Sequence, residues 1–461
     1  MPGQAPRESV THRPEIYRDV LLASVPIAIT YGSTIAYETV ALIFLSRYSD
    51  AAFAAIFPGF VVYFNLLMLP LGVVKYVRIL MAGEVGRNQP HRVGQLLWLG
   101  LAVSGVAAAL FALMAYYSER IFAFIGHSPE LQALEAAYFR VMCCGVFFNL
   151  AIASIESMYL AIGRRRIILL VQLIAIVMNV ALTPLLIFGW GGFPELGIQG
   201  AAYATVGASL LVLLIYCVLM QADSSLEHYR LLSAFRFTRT QLGTLLRIGV
   251  PSGVERAFEE LTWTVLLLVI GRLGIFALTL SNVAINILEL AYFPMIALGE
   301  VLSVQVARLL GSGAHANVPP LVNATLRAVL VYSVVWIVVV VAGADLIRGF
   351  YFADVDLSRF ADVDQTFSGF FLILAFCVAV GPIYYVFNAI LTALGDTTFP
   401  MGVMLVGFVF VFCIPLYVFV IQGGLGVLCG WLLFLINLTL LCFVNGFRYY
   451  FKSFPSLVKG M

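Results

Sequence analysis

Apolar residues dominate this chain in runs of about 20 or more, separated by short polar breaks. A run of that length, at about 1.5 Å per helical residue, crosses the roughly 30 Å hydrocarbon core of a bilayer. The pattern predicts helices over residues 20–46, 52–82, 93–117, 131–162, 167–190, 197–220, 246–271, 275–309, 318–350, 367–394, 399–421 and 424–449, with ends good to a few residues. The predicted fold class is all-α, a polytopic membrane protein of about twelve transmembrane helices.

The longest polar connection runs from Gln221 to Gln241 and leaves six predicted helices on each side. The halves repeat each other. LLASVP ending at Pro26 recurs as LLRIGVP ending at Pro251, Arg47 as Arg272 and Gly86 as Gly311, at one shift of about 225 residues. LAIG ending at Gly163 likewise matches TALG ending at Gly395, and LGIQG ending at Gly200 resembles LGVLCG ending at Gly430. Because each half holds an even number of helices, the repeats run parallel, related by a pseudo-twofold axis along the membrane normal. The expected organisation is a tail at 1–19, an N-lobe at 20–220, a linker at 221–245, a C-lobe at 246–449 and a tail at 450–461. Two such six-helix lobes enclose a cleft, the architecture of a transporter that rocks between two openings.

Composition narrows this further. Of 461 residues 62% are hydrophobic and only 11% charged, outside the range of soluble domains, and a net charge of +2 gives no reason to expect nucleic acid. The seven cysteines all fall in apolar runs, so neither a disulfide framework nor a thiolate metal site is expected. The five histidines lie in predicted loops or the tail, which argues against a metal centre in the membrane; no cofactor is expected. The residues before Tyr17 lack the features of a signal peptide, so the first helix is expected to be retained. Basic residues concentrate in alternate loops: Arg87 and Arg92, Arg164 to Arg166, the connection with Arg236, Arg239 and Arg247, and both tails. The positive-inside rule then puts both termini in the cytoplasm, with the protein in the cytoplasmic (inner) membrane.

Within the apolar stretch Ile248 to Gly274 stand Glu255, Arg256, Glu259 and Glu260. Glu255 and Glu259 share one helix face at i,i+4, and Arg256 and Glu260 a neighbouring one. Glu259 is expected near the membrane midplane, where charge is costly and commonly marks a transport pathway; an internal ion pair, of Arg256 with Glu260 in the first place, is the bland alternative, and a tight pair of Arg256 with Glu259 would weaken Glu259 as a proton carrier. Trp263 follows Glu259 at i+4, and with Phe258, Tyr292 and Phe293 it offers aromatic faces to a cation, although such residues more often pack against helix or lipid.

These motifs carry a resemblance. LLRIGVPSG at Pro251, NVAINILELAYFPMIALG leading to ARLLGSG at Gly311, LTALGDTTFP around Gly395 and the segment from Asn179 to Val206 together resemble the multidrug and toxic compound extrusion (MATE) transporters over nearly all twelve helices. The resemblance implies two six-helix lobes that export small organic, often cationic or zwitterionic compounds in exchange for protons or sodium ions, and it implies no enzyme. Counted from Pro251, Glu259 falls on the family's C-lobe glutamate. Asn179 and Thr205, neighbours of the family's N-lobe ion site, are retained, and with Asn282, Asn286, Glu289, Arg256 and Glu260 they are expected in the substrate cleft. The family's aspartates are replaced by Ala41, Thr183 and Gly381.

Glu38, one turn before Ala41, is expected to carry a carboxylate into the N-lobe site, and Glu259, Glu38 and Glu255 are the expected coupling residues. With the aspartates gone, a proton is expected as the coupling ion rather than sodium, which needs several oxygen ligands. Further buried charges are Lys75, Arg78, Glu156 and Glu300; Lys75, Arg78 and Glu300 are expected either to snorkel or to pair across helices. A flippase for a lipid-linked precursor shares this architecture and is the alternative, though such proteins usually have more helices and a more basic cavity. The chain has no HExxH or GxSxG motif and no repeated pore loop, so an enzyme or a channel is not expected. The expected partners are the small substrate, the ion and the bilayer, with the protein a monomer.

Overall fold

A computed structural model describes residues 24–25, 27–30, 32, 39–229, 231, 237–352 and 363–455, and among these there is no β-strand. After the helical residues 39–46 (α1), the principal helices are α2 (Asp50–Gly86), α3 (Pro90–Tyr116), α4 (Ser118–Ile125), α5 (Pro129–Cys144), α6 (Val146–Ala161), α7 (Arg165–Phe188) and α8 (Gly197–Ala222). The second half follows with α9 (Arg239–Gly271), α10 (Ile275–Gly311), α11 (Val318–Ala342), α12 (Ala344–Tyr351), α13 (Val363–Ala393), α14 (Thr398–Val406) and α15 (Val427–Arg448). α14 continues as π-helix through Gly407–Cys413 and Leu416–Gln422, so the span it begins is 25 residues long. Nine described helices are long and apolar enough to cross a membrane, and a tenth span is the bent pair α5 and α6. The 33-residue α9 is not among them, since Arg247, Glu255, Arg256, Glu259 and Glu260 lower its hydropathy. The protein is a multi-pass membrane protein of the expected kind.

Most predicted helices stand, and the differences have local causes. The predicted helix 131–162 bends by 42° at Gly145, whose bare Cα faces the Val206 side chain of α8. The predicted helix 318–350 stops at Gly343, and the short amphipathic α12 follows. α9 starts earlier than predicted because Thr238 and Gln241 form a capping box that satisfies two end donors.

α2, α3, α5, α6, α7 and α8 pack on one another, as do α9, α10, α11, α13, α14 and α15, which gives two bundles. α2 crosses between them, lying against both α9 and α10. This seam needs glycine. A Cβ on Gly72 would lie 2.6 Å from the Gly253 Cα, and Cβ atoms on Gly86 and Gly311 would strike the carbonyls of Arg308 and Gly83. Arg308 Nη2 also donates to the Ala161 carbonyl at 2.6 Å. The seam therefore closes the bundles at the end bearing the Arg87, Arg92 and Arg164 loops, here called the basic end.

Candidate functional site

Above the seam lies a cleft of about 1260 Å³ between the bundles. It reaches the opposite end between Phe57, Ile125 and His127 on one side and Leu268, Gly271 and Leu278 on the other. Its deep end meets Lys75, Arg78, Ser303 and Thr392.

α9 supplies the most heavily charged wall. One face lies on α2, where Asn65 Nδ2 donates to Thr264 Oγ1 at 3.0 Å, and the next turns toward α13. There Glu255, 3% exposed, accepts from Tyr384 Oη at 3.3 Å. One turn on, Glu259 Oε1 accepts from Tyr385 Oη at 2.7 Å and its Oε2 from Arg256 Nη1 at 3.0 Å. Two adjacent tyrosines of α13 thus each hold one of two carboxylates spaced i,i+4 on α9. Arg256 pairs with Glu259, not with Glu260 as the bland sequence reading had it. Glu260, Glu289, Asn282 and Asn286 all line the same cleft.

The deep end is held across the seam. Lys75 Nζ and Arg78 Nη1 reach the two oxygens of Glu300 at 3.3 Å and 2.6 Å, so of the two expectations for these residues it is pairing across helices that holds. Lys75 and Glu300 are 225 residues apart, the repeat shift itself, so the pseudo-twofold relates them and they meet with opposite charge. Beside them Glu156 accepts from Tyr216 Oη at 3.1 Å.

Three expectations fare differently. Asn179 and Thr205 are not among the described residues that line this cleft: Asn179 is 1% exposed and donates to Thr205 Oγ1 at 3.3 Å inside the first bundle. Their polar groups find partners there, through Thr183 and, by way of Ser209, Asn149 and Tyr63. Glu38 lies outside the described residues. Of the aromatics, Trp263 lines the cleft while packing on Phe434 at 4.4 Å, and Tyr292 donates to the Cys377 carbonyl at 2.7 Å. The Tyr292 ring also fills the space a side chain at position 381 would need, so Gly381 could not regain a carboxylate without displacing it.

Sequence reasoning missed Tyr384, Tyr385 and Asn388. Their only signal is a polar patch, YYVFN after Pro382, in an otherwise apolar helix.

The profile of the MatE family matches residues 26–185 and 251–418, more than half of the chain. The chain belongs to the MatE family. It is 26% identical to a probable multidrug resistance protein NorM of Rhizobium meliloti over 440 residues, 94% of each chain. It is also 26% identical to multidrug resistance protein NorM of Burkholderia vietnamiensis over 296 residues, 64% of each chain. Among solved structures, the eukaryotic MATE transporter AtDTX14 superposes with a TM-score of 0.85 over 97% of this chain and 98% of its own, at 14% identity. An outward-facing multidrug resistance MATE family transporter of the MOP superfamily gives 0.81 over 98% and 99%, at 16% identity. These structures share the two-bundle MATE fold, and as a MatE protein the chain is a membrane transporter.

Proposed function

We propose that this protein exports small organic cations or zwitterions from the cytoplasm in exchange for protons. The observation that supports it best is the cleft's charge. Six glutamates, Glu156, Glu255, Glu259, Glu260, Glu289 and Glu300, line it against three cations, Lys75, Arg78 and Arg256. Such a wall attracts a cation and disfavours the polyanionic headgroup of a lipid-linked precursor. The relatives named for multidrug resistance point the same way.

In this reading the basic end is cytoplasmic, as the loop arginines suggest, and the structure represents the outward-facing state. Glu255 and Glu259 form the coupling centre, with Glu259 fixed between Arg256 and Tyr385. Glu255 is the group that exchanges a proton, because a carboxyl group shut from water holds its proton more tightly than one open to it. Alternating access then changes its hold on the proton at each half-cycle. Glu260 and Glu289, with Trp263 and Phe293 nearby, are the natural partners for a substrate ammonium.

The purified protein in liposomes tests this. A pH gradient alone should drive counterflow of ethidium, and Glu259→Gln and Glu255→Gln, folded at normal yield, should each lose at least tenfold in rate. Transport that required a sodium gradient and ignored pH would overturn the coupling.

A further inference from the structure

Tyr384, Asn388 and Thr392 stand at i, i+4 and i+8 on α13 and so share one face. Thr392 Oγ1 lies 2.7 Å from the Asn388 carbonyl and 3.2 Å from Asn388 Oδ1. Asn388 Nδ2 donates to Tyr384 Oη at 3.3 Å, and Tyr384 Oη donates to Glu255 Oε1 at 3.3 Å. The order is directional. The single threonine proton goes mainly to the nearer backbone carbonyl and is shared with the amide oxygen, which leaves the amide N–H for the tyrosine; a phenol oxygen already accepting there has its own proton left for the carboxylate. Asn388 and Thr392 continue along the cleft wall to its deep end, so the row links Glu255 to the region beside the seam.

We infer that Asn388 and Thr392 are positioning residues that fix Tyr384 as a one-way donor to Glu255. The row favours the ionised form of Glu255 and so sets the pH at which the transporter gives up its proton. The inference rests on the reading of Glu255 as the proton-exchanging group.

Other groups face the same carboxylate region. Arg256, Glu259 and Glu260 belong to α9 itself, Glu289 and Tyr292 to α10, Tyr385 to α13, and Lys75 and Arg78 to α2. α14 itself has no ionisable residue, its π-helical continuation brings Cys413 and Tyr417, and α15 brings Cys429, Cys442 and Arg448, the last paired with Asp396 at 2.8 Å. α3 packs on α9 too, with Gln241 donating to Gln95 near the start of α9. Only the Tyr384 row offers Glu255 a neutral donor that can be removed without altering any charge on this roster.

The experiment is the pH profile of ethidium counterflow in liposomes for Tyr384→Phe, Asn388→Leu and Thr392→Val. Losing a donor that favours the ionised form should move the profile's midpoint to higher pH, by about one unit for Tyr384→Phe. Asn388→Leu should shift it less and Thr392→Val least. Wild-type midpoints in Asn388→Leu and Tyr384→Phe, alongside an inactive Glu255→Gln, would overturn the positioning role while sparing the coupling centre. A Glu255→Gln protein with the wild-type profile would instead remove Glu255 from the coupling centre. Should Tyr384→Phe fail to fold, the graded shift in the other two variants decides.

Discussion

At the scale of single residues, the carboxylates of α9 were legible because charge in a long apolar run stands out by its cost. Their partners were not. Tyr384 and Tyr385 meet Glu255 and Glu259 from 129 and 126 residues away, and no local periodicity announces such a contact. The choice of Glu259 over Glu260 as the mate of Arg256 was equally hidden, since i+3 and i+4 are both within reach on a helix. Tyr385 holds the Glu259 carboxylate where Arg256 can reach it, and that decides. Gly381 shows the same limit: the sequence reveals a missing carboxylate, and only the fold reveals what took its place. Since the Tyr292 ring occupies that space, Gly381→Ala should lower stability by about 1–3 kcal/mol, the usual cost of overpacking. A thermal melt in detergent should show the loss, and Tyr292→Leu should recover part of it. An unchanged melting temperature would mean the ring moves aside freely.

Among the elements, long apolar helices were read correctly because length and hydropathy depend only on the bilayer's thickness. The bend at Gly145 and the stop at Gly343 escaped, because glycine weakens a helix without forcing a break and the deciding contact is tertiary. The pairing of α2 with α10 had a trace in sequence: the repeat shift already made Lys75 and Glu300 equivalent, but only a seam between repeats makes equivalent residues touch. Removing one member of a buried ion pair costs about 3–5 kcal/mol, and Lys75, with 29% of its side chain exposed, argues for the low end. About 3 kcal/mol is a factor of roughly 100 in an equilibrium. Glu300→Gln should therefore shift the protein away from the state closed at the basic end. Spin labels on the exposed positions His91 and Ala316, one in each bundle, should report a longer separation in this variant. An unaltered distance distribution would show that the ion pair does not hold the seam.

For the whole molecule, two repeats in one chain predict two bundles and a cleft, and that much follows from counting helices and matching motifs. Which end of the cleft is shut does not follow, because one sequence must serve both states of a rocking transporter and its contacts are shared between them. The glycines of the seam give the closed state a handle. Cβ atoms at Gly86 and Gly311 would each meet a backbone carbonyl, of Arg308 and Gly83, which cannot rotate away as a side chain would. Alanine at either position should slow ethidium counterflow by disfavouring closure at the basic end. Because both substitutions push the same two helices apart, the second should meet a seam already loosened, and the double variant should lose less than the sum of the single effects. Gly105→Ala on α3, where a Cβ meets nothing within 4 Å, is the control and should transport at the wild-type rate. Strictly additive losses would mean that the two contacts act separately, and wild-type rates in both single variants would mean that transport does not depend on this close approach.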